Sequence, residues 1–320
     1  MTPDESMTPS HVPRKAPPVS RIAVLIVIGC FSIAVARGQD FQISNSDGLR
    51  MSIDKADRDP AIHVIIPGGP AEERSFNILL PEHVTVREHG QTEVKHLYIH
   101  RPGLEGKRPK WKRVGNAVGY SEELSGIRFS ARATLEADGI LFHYQFENRT
   151  DIDYDMAWAV TDPRFRTFFY DPRLERTYVH HTNGFELLAA ETPARLTMPL
   201  DQWLPARYLA QLTAVIPEQR VQQRDDGITY YYKSRAIDLP MIATLSTDRK
   251  WVAASFTRET GNVWSNPELT CQHVDPQVSL PAHQTGYFEV KLVIFQGTLE
   301  QAQEKIRQER PRLQASASPR

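Results

Sequence analysis

The sequence predicts an all-β protein of antiparallel strands with one helix at its C-terminus, and three observations lead there. The first is "IRFSARATLEADGILFHYQFEN" at 127–148. Ile127, Phe129, Ala131, Ala133 and Leu135 alternate with Arg128, Ser130, Arg132 and Thr134, and the pattern resumes after Asp138-Gly139 with Ile140, Phe142, Tyr144 and Phe146. Period-two alternation on both sides of an Asp-Gly pair is a hairpin signature. The second is "YFEVKLVIF", which places Phe288, Val290, Leu292 and Ile294 on one face of an extended chain. The third is the number of short apolar runs separated by turn residues, which favours a sandwich or barrel over βαβ units.

The first segment of the chain stands apart from this pattern. Arg14, Lys15 and Arg21 precede an apolar run at 22–36. The run has the length of a signal-peptide core and is short for a membrane span. Ala34-Val35-Ala36 supplies a small-x-small cleavage pattern. Residues 1–38 are therefore expected to be a signal peptide, or an anchor if uncleaved, and the protein to be exported to the periplasm or beyond. "VIGC" at 27–30 resembles a lipoprotein box, but the apolar run continues past Cys30. Removal of this segment leaves Cys271 as the one cysteine, so no internal disulfide is expected.

Further strands are expected at 49–53, at 61–66 before Pro67-Gly68-Gly69-Pro70, and at 94–100. "DIDYDMAWAV" alternates through Tyr154, Met156, Trp158 and Val160 and is expected as a third strand beside the hairpin. Others follow at 176–181, 184–190, 228–232 and 250–256. A short helix is expected at 204–216. A second helix should begin at the Thr298 N-cap, bury Leu299, Ala302 and Ile306, and stop at Pro311. Residues 39–313 are expected to form a single domain, with 314–320 a disordered tail.

Lys plus Arg number 38 and Asp plus Glu 39, so no basic surplus recommends nucleic acid as a partner. G-x-S-x-G, P-loop, G-x-G-x-x-G and H-E-x-x-H patterns are absent, which argues against the commonest hydrolase, nucleotide-binding and zinc-protease classes. The densest chemistry is "NVWSNPELTCQHVDP" at 262–276. Cys271, His273 and Asp275 stand at i, i+2 and i+4, which on a strand share one face. They are open to three readings: acid–base work, a metal site completed by His180 or His181, or a core-facing Cys271 with backbone-bonded neighbours. A second charged piece at 161–181 holds Asp162, Arg164, Asp171, Arg173 and Arg176 among aromatics. Trp111 and Trp264 lie in polar surroundings, where an indole can stack on a sugar ring. Asn148-Arg149-Thr150 is a glycosylation sequon.

The segments "GILFHYQFENRTDIDYDMAWAV", "LERTYVHHTNGFELL" and "NPELTCQHVDPQVSLPAHQTGYFEVKLVIFQGTLEQA" resemble secreted bacterial proteins of the galactose-mutarotase-like superfamily. The resemblance is one of strands and turns over most of 41–308. It implies a large antiparallel β-supersandwich with a sugar-facing concave sheet. The epimerases of that superfamily use a His acid and a Glu base, and the strand bearing that His has no close counterpart here. The expectation is thus an exported carbohydrate-binding or carbohydrate-modifying protein with no cofactor, acting on poly- or oligosaccharide. His273 would be the acid and Asp275 or Glu268 the base, with Arg164, Arg176, Trp264 and Asn266 binding substrate. The alternatives are a non-catalytic envelope domain and a metal-dependent hydrolase.

Overall fold

The structure is a computed structural model that describes residues 41–101, 105–191, 205–224 and 227–316. The expected signal segment, with Cys30, lies outside the described residues. No described helix is long and apolar enough to cross a membrane.

A nine-stranded antiparallel sheet dominates. Its order is Gly184–Leu187, Thr177–His181, Met241–Leu245, Trp251–Thr257, Thr285–Gln296, Gly139–Asn148, Ile127–Glu136, Ala117–Leu124 and Lys112–Val114. The predicted hairpin sits inside it with Phe129 opposite Phe146 and Leu135 opposite Ile140. One core joins the inner face of this sheet, including Phe129, Phe142, Phe146 and Leu292, to Met51, Ile62, Ile78 and Val84 from smaller sheets. Burying each such side chain stabilises by about 1.5–3 kcal/mol.

Gly139 opens its strand where Leu292 O and Val293 Cα press closest. A Cβ built there would lie 2.0 Å from that carbonyl oxygen. The glycine is therefore required by close approach of a neighbouring strand, and the loop of the hairpin is Ala137-Asp138, with Glu136 opposite Gly139.

Four smaller sheets accompany it among the described residues, the smallest being the pair His100–Arg101 and Glu105–Gly106. Of the others, one runs Ile43–Ser44, Arg50–Asp54, Ala61–Ile65, Ser75–Leu79 and Asp162–Arg164. The second joins Val278–Leu280, Tyr154–Ala159, Val84–Glu88 and Lys95–Leu97, and the third joins Val221–Gln223, Thr229–Tyr232, Ala206–Gln211, Asn262–Ser265 and His273–Val274.

Three expectations are corrected. Tyr154–Ala159 does not extend the hairpin; it pairs with Val84–Glu88 and Val278–Leu280, and the hairpin's neighbour is Thr285–Gln296. Alternation fixes which side chains share a face but not which strand lies alongside. The segment read as a helix at 204–216 contains the strand Ala206–Gln211, whose buried Ala206, Tyr208 and Ala210 also fit a period of two. In the expected tail, Gln314 O accepts from Glu289 N and Ser316 N donates to Tyr287 O, so 314–316 pair along the great sheet.

The C-terminal helix Leu299–Glu309 forms as expected. Thr298 and Gln301 make a reciprocal capping box, and Leu299, Ala302 and Ile306 pack on Met241, Ala254, Phe256 and Val293 on the outer face of the sheet. Lys291 ties the helix down, contacting Glu136 at 2.8 Å, Asp138 at 3.1 Å and Glu309. Lys305 reaches Asp138 at 2.7 Å. Burial alone would raise the Asp138 pKa, but the two ammonium groups outweigh it and hold it below the usual range. A carboxylate so depressed stabilises the fold above the usual carboxylate range, and the contribution disappears as pH falls through its folded value. Asp138→Asn should therefore lower Tm at pH 7 by about 2–4 °C, corresponding to about 1 kcal/mol. The loss relative to wild type should shrink in an acid series of thermal melts.

The sequon residue Asn148 is 1% exposed. Its side-chain amide donates to Ile152 O, Leu280 O and Pro281 O, and its oxygen accepts from Thr150 N and Oγ1. Asn148→Asp turns a donor facing three carbonyl oxygens into a charge repelled by them. Urea unfolding should show a loss of roughly 3 kcal/mol or more.

Candidate functional site

The stretch at 262–276 folds back on itself. Asn262–Ser265 pairs with Ala206–Gln211 on one side and with His273–Val274 on the other, with Trp264 opposite His273. Between them Pro267 breaks the ladder, and Thr270 at φ +49° turns the chain. Thr270 N donates to Asn266 O, and its hydroxyl donates to Phe165 O at 2.6 Å. A bridge between Arg164 and Cys271 then joins this loop to Asp162–Arg164 in another sheet.

That junction brings a polar group together below the surface. Asp162 is 0% exposed, Cys271 and His273 1%, Asn266 3% and Asp275 5%. His273 Nε2 lies 2.9 Å from Cys271 Sγ, and the thiol donates to Asn266 Oδ1 at 3.0 Å. The same Nε2 lies 3.4 Å from Asp162 Oδ1, within ion-pair range but outside hydrogen-bond geometry. Arg164 Nε donates to the other oxygen of Asp162 at 2.7 Å and reaches Glu82 at 3.4 Å. The Trp264 indole stacks flat on His273, 3.7 Å between centroids at 9°. Its Nε1 donates to Asp275 Oδ2 at 2.5 Å, which also accepts from Asn262 at 3.3 Å. At the half-buried rim Arg207 pairs with Glu268 at 3.0 Å and lies 6.0 Å over the Trp264 ring.

These neighbours set the charges. Burial pushes the Cys271 thiol up from its ordinary value, against opposing contributions from His273 and Asn266. Burial would also raise Asp162, but His273 and Arg164 outweigh it and hold it below the usual carboxylate range. Burial would lower His273; the sulfur and the Asp162 carboxylate beside it reverse the sign and hold the imidazole well above its ordinary value. Asp275 is raised by burial, against opposing contributions from His273, Trp264 and Asn262. Two carboxyls a few residues apart in space are thus driven in opposite directions, as in acid–base sites.

Four buried atoms of this group, Asp162 Oδ1, His273 Nδ1, Asp275 Oδ1 and Glu268 Oε2, have no hydrogen-bond partner. Buried polar atoms are paired in the great majority of cases. Their concentration at one place sets this group apart from the rest of the described core. Asp162, Cys271 and His273 also each offer a donor atom within 4.8 Å of the others, a ligand set suited to a transition metal. Among the described residues the other such trio, Glu136, Asp138 and Glu309, is filled by the Lys291 ammonium described above.

Of the residues singled out in the sequence, His273, Asp275, Trp264, Asn266, Arg164 and Glu268 all lie in or around this group. Arg176 does not. Its guanidinium donates to Leu245 O and Tyr170 O and sits 3.8 Å from Asp171, which clamps the 170–177 loop. His180 is also elsewhere: Nδ1 meets Asp238 at 2.5 Å and Nε2 meets Gln303 of the C-terminal helix at 2.6 Å. His181 faces Ala236 O at 2.7 Å and Glu186 at 3.4 Å. Neither belongs to the ligand trio, so a metal site pairing them with His273 and Asp275 is not the arrangement found. Sequence reasoning missed the central part of Asp162 and the rim residues Glu82 and Arg207. Arg207 fell in the stretch read as helix, and Glu82 precedes a strand that was not anticipated.

No family profile matches the sequence, and no curated protein matches it. Among solved structures the chain is similar to a galactose mutarotase related enzyme from Lactobacillus acidophilus, with 11% identity over 81% of this chain and 98% of that one and a TM-score of 0.45. It is similar to a protein from Synechocystis with 9% identity, the same 81% of this chain and 96% of that one, at a TM-score of 0.46. It is also similar to a putative aldose 1-epimerase from Escherichia coli at 9% identity, covering 81% and 99% of the two chains, with a TM-score of 0.45.

Proposed function

We propose that the protein is an exported carbohydrate-binding or carbohydrate-modifying protein whose sugar site is the Trp264–His273 group. The observation that carries the reading is the half-buried Trp264, seated on His273 and surrounded by buried polar atoms without partners. An indole offers the C–H face of a sugar a flat apolar surface. His273 Nδ1, Asp275 Oδ1 and Glu268 Oε2 lie buried behind it without partners, and the partly exposed Arg164, Arg207 and Glu268 carry the polar groups nearest the surface. Export is supported by the apolar run at 22–36 behind Arg14, Lys15 and Arg21.

In the catalytic form of this reading His273 supplies the proton. Asp162, 3.4 Å from its Nε2, orients the imidazole, and Asp275, with one oxygen free, serves as the second carboxyl. Asp162 and His273 stand too close together to flank a sugar from opposite sides, so they act as a unit.

The test is a thermal-shift panel of neutral sugars, uronic acids and oligosaccharides on the full chain. A sugar at about 100 times its Kd adds roughly 2.7 kcal/mol to folding and raises Tm measurably. Trp264→Ala should weaken that sugar's binding by about tenfold or more, equivalent to about 1.4 kcal/mol, and Trp264→Phe by less. A panel without any shift, or a shift unchanged in Trp264→Ala, would remove the assignment.

One observation favours a second reading, metal-dependent hydrolysis: the Asp162, Cys271 and His273 trio. Elemental analysis of the purified protein decides it. Stoichiometric zinc or another transition metal, lost in Cys271→Ser, is the result this reading requires.

A further inference from the structure

We propose that the outer face of the nine-stranded sheet carries a second binding site, a cationic groove that takes acidic polysaccharide bearing carboxylate or sulfate groups. The groove has a volume of about 710 Å³. Lys107, Arg108, Lys110, Lys112, Arg128 and Arg132 line it, against Glu122 as its one acid. The whole chain is balanced at 38 basic and 39 acidic residues, so this concentration of one sign is local. Like charges gathered in a concave surface focus the field on an anionic ligand.

The floor follows from strand register. Gly119, Arg132 and His143 stand side by side across three strands, and Ser121, Ser130 and Gln145 form the next row. Gly119 adds no side chain, which leaves the first row open above Arg132. One wall is the 107–112 segment, where Lys112 pairs with Gly119. Lys107, Lys110 and Lys112 have no carboxylate partner among the described residues, whereas Arg132 and Arg128 feel Glu289 and Glu147 at the far side. The groove therefore lines one wall with ammonium groups that meet no carboxylate among the described residues, with hydroxyls, an amide and an imidazole between them. Charged groups on a polyhydroxylated chain match that pattern. Stacked bases match it less well, because the lining holds no Trp or Phe and Tyr120 is 6% exposed.

This site is separate from the one at Trp264. The loop bearing His273 packs on the inner side of the sheet, where Gln272 bonds Ser255 at 3.0 Å and Thr244 at 2.9 Å. Ser255 stands opposite Leu292 of the core. Arg132 and His143 belong to the opposite face, which alternates with core residues Ala131, Ala133, Phe142 and Tyr144.

Calorimetry on the full chain with polygalacturonate, dextran sulfate, neutral dextran and oligo(dT) tests the proposal. An acidic glycan should bind, and neutral dextran should not. Affinity should fall as salt rises, with a slope reduced by about 1 for each lysine removed. The double variant Lys110→Gln, Lys112→Gln changes two exposed side chains and should weaken binding about tenfold with an unchanged melting curve. Trp264→Ala should leave this binding intact, so the two sites fail or survive separately. No acidic-glycan binding, binding unchanged in the double variant, or oligo(dT) binding as tight as the glycans would each overturn it.

Discussion

Gly139–Asn148 and Thr285–Gln296 lie side by side through the middle of the great sheet, and His143 faces Glu289 across that boundary from 146 positions away in the chain. The rest of the fold depends on this contact. It brings the hairpin's apolar face, the C-terminal strand and the sheets before and after them around one core. The fit is close enough that position 139 admits no side chain. Contacts so distant in sequence form slowly, because the loop between them must close before they are rewarded. The C-terminal helix and its Lys291 contacts then lock the late strand from outside.

The polar centre sits where three pieces of chain meet after that closure. Asp162 comes from one sheet, His273 from another, and Cys271 from the bridge between them. Holding an ion pair out of water is costly unless every partner is in place; removing one partner typically costs 3–5 kcal/mol. Arg164 relieves one oxygen of Asp162, and the other is left facing His273. An alanine at either position would damage the fold together with any chemistry, so conservative exchanges and the rim tryptophan are the informative places to probe.

Much of this architecture was legible in the residues. The hairpin could be read because both of its strands face core on one side and water on the other. The last helix could be read because Thr298, Gln301 and the spacing of Leu299, Ala302 and Ile306 all act locally. Ala206–Gln211 escaped because Leu, Ala and Arg favour helix, and its pairing with Asn262–Ser265 is a tertiary matter. The site was half legible. His273, Asp275 and Trp264 lie within one stretch, but Asp162 reaches them only through a bridge between sheets. Arg176 had the right chemistry for a ligand and was drawn off by nearby carbonyls instead.

The amide of Asn148 carries one more consequence. An oligosaccharyltransferase acting on the unfolded chain would recognise Asn148-Arg149-Thr150, yet a glycan attached there could not follow the nitrogen into the space among Ile152, Leu280 and Pro281. Modification and maturation are therefore mutually exclusive at this residue. A chain carrying a glycan there would have to give up all three of those hydrogen bonds.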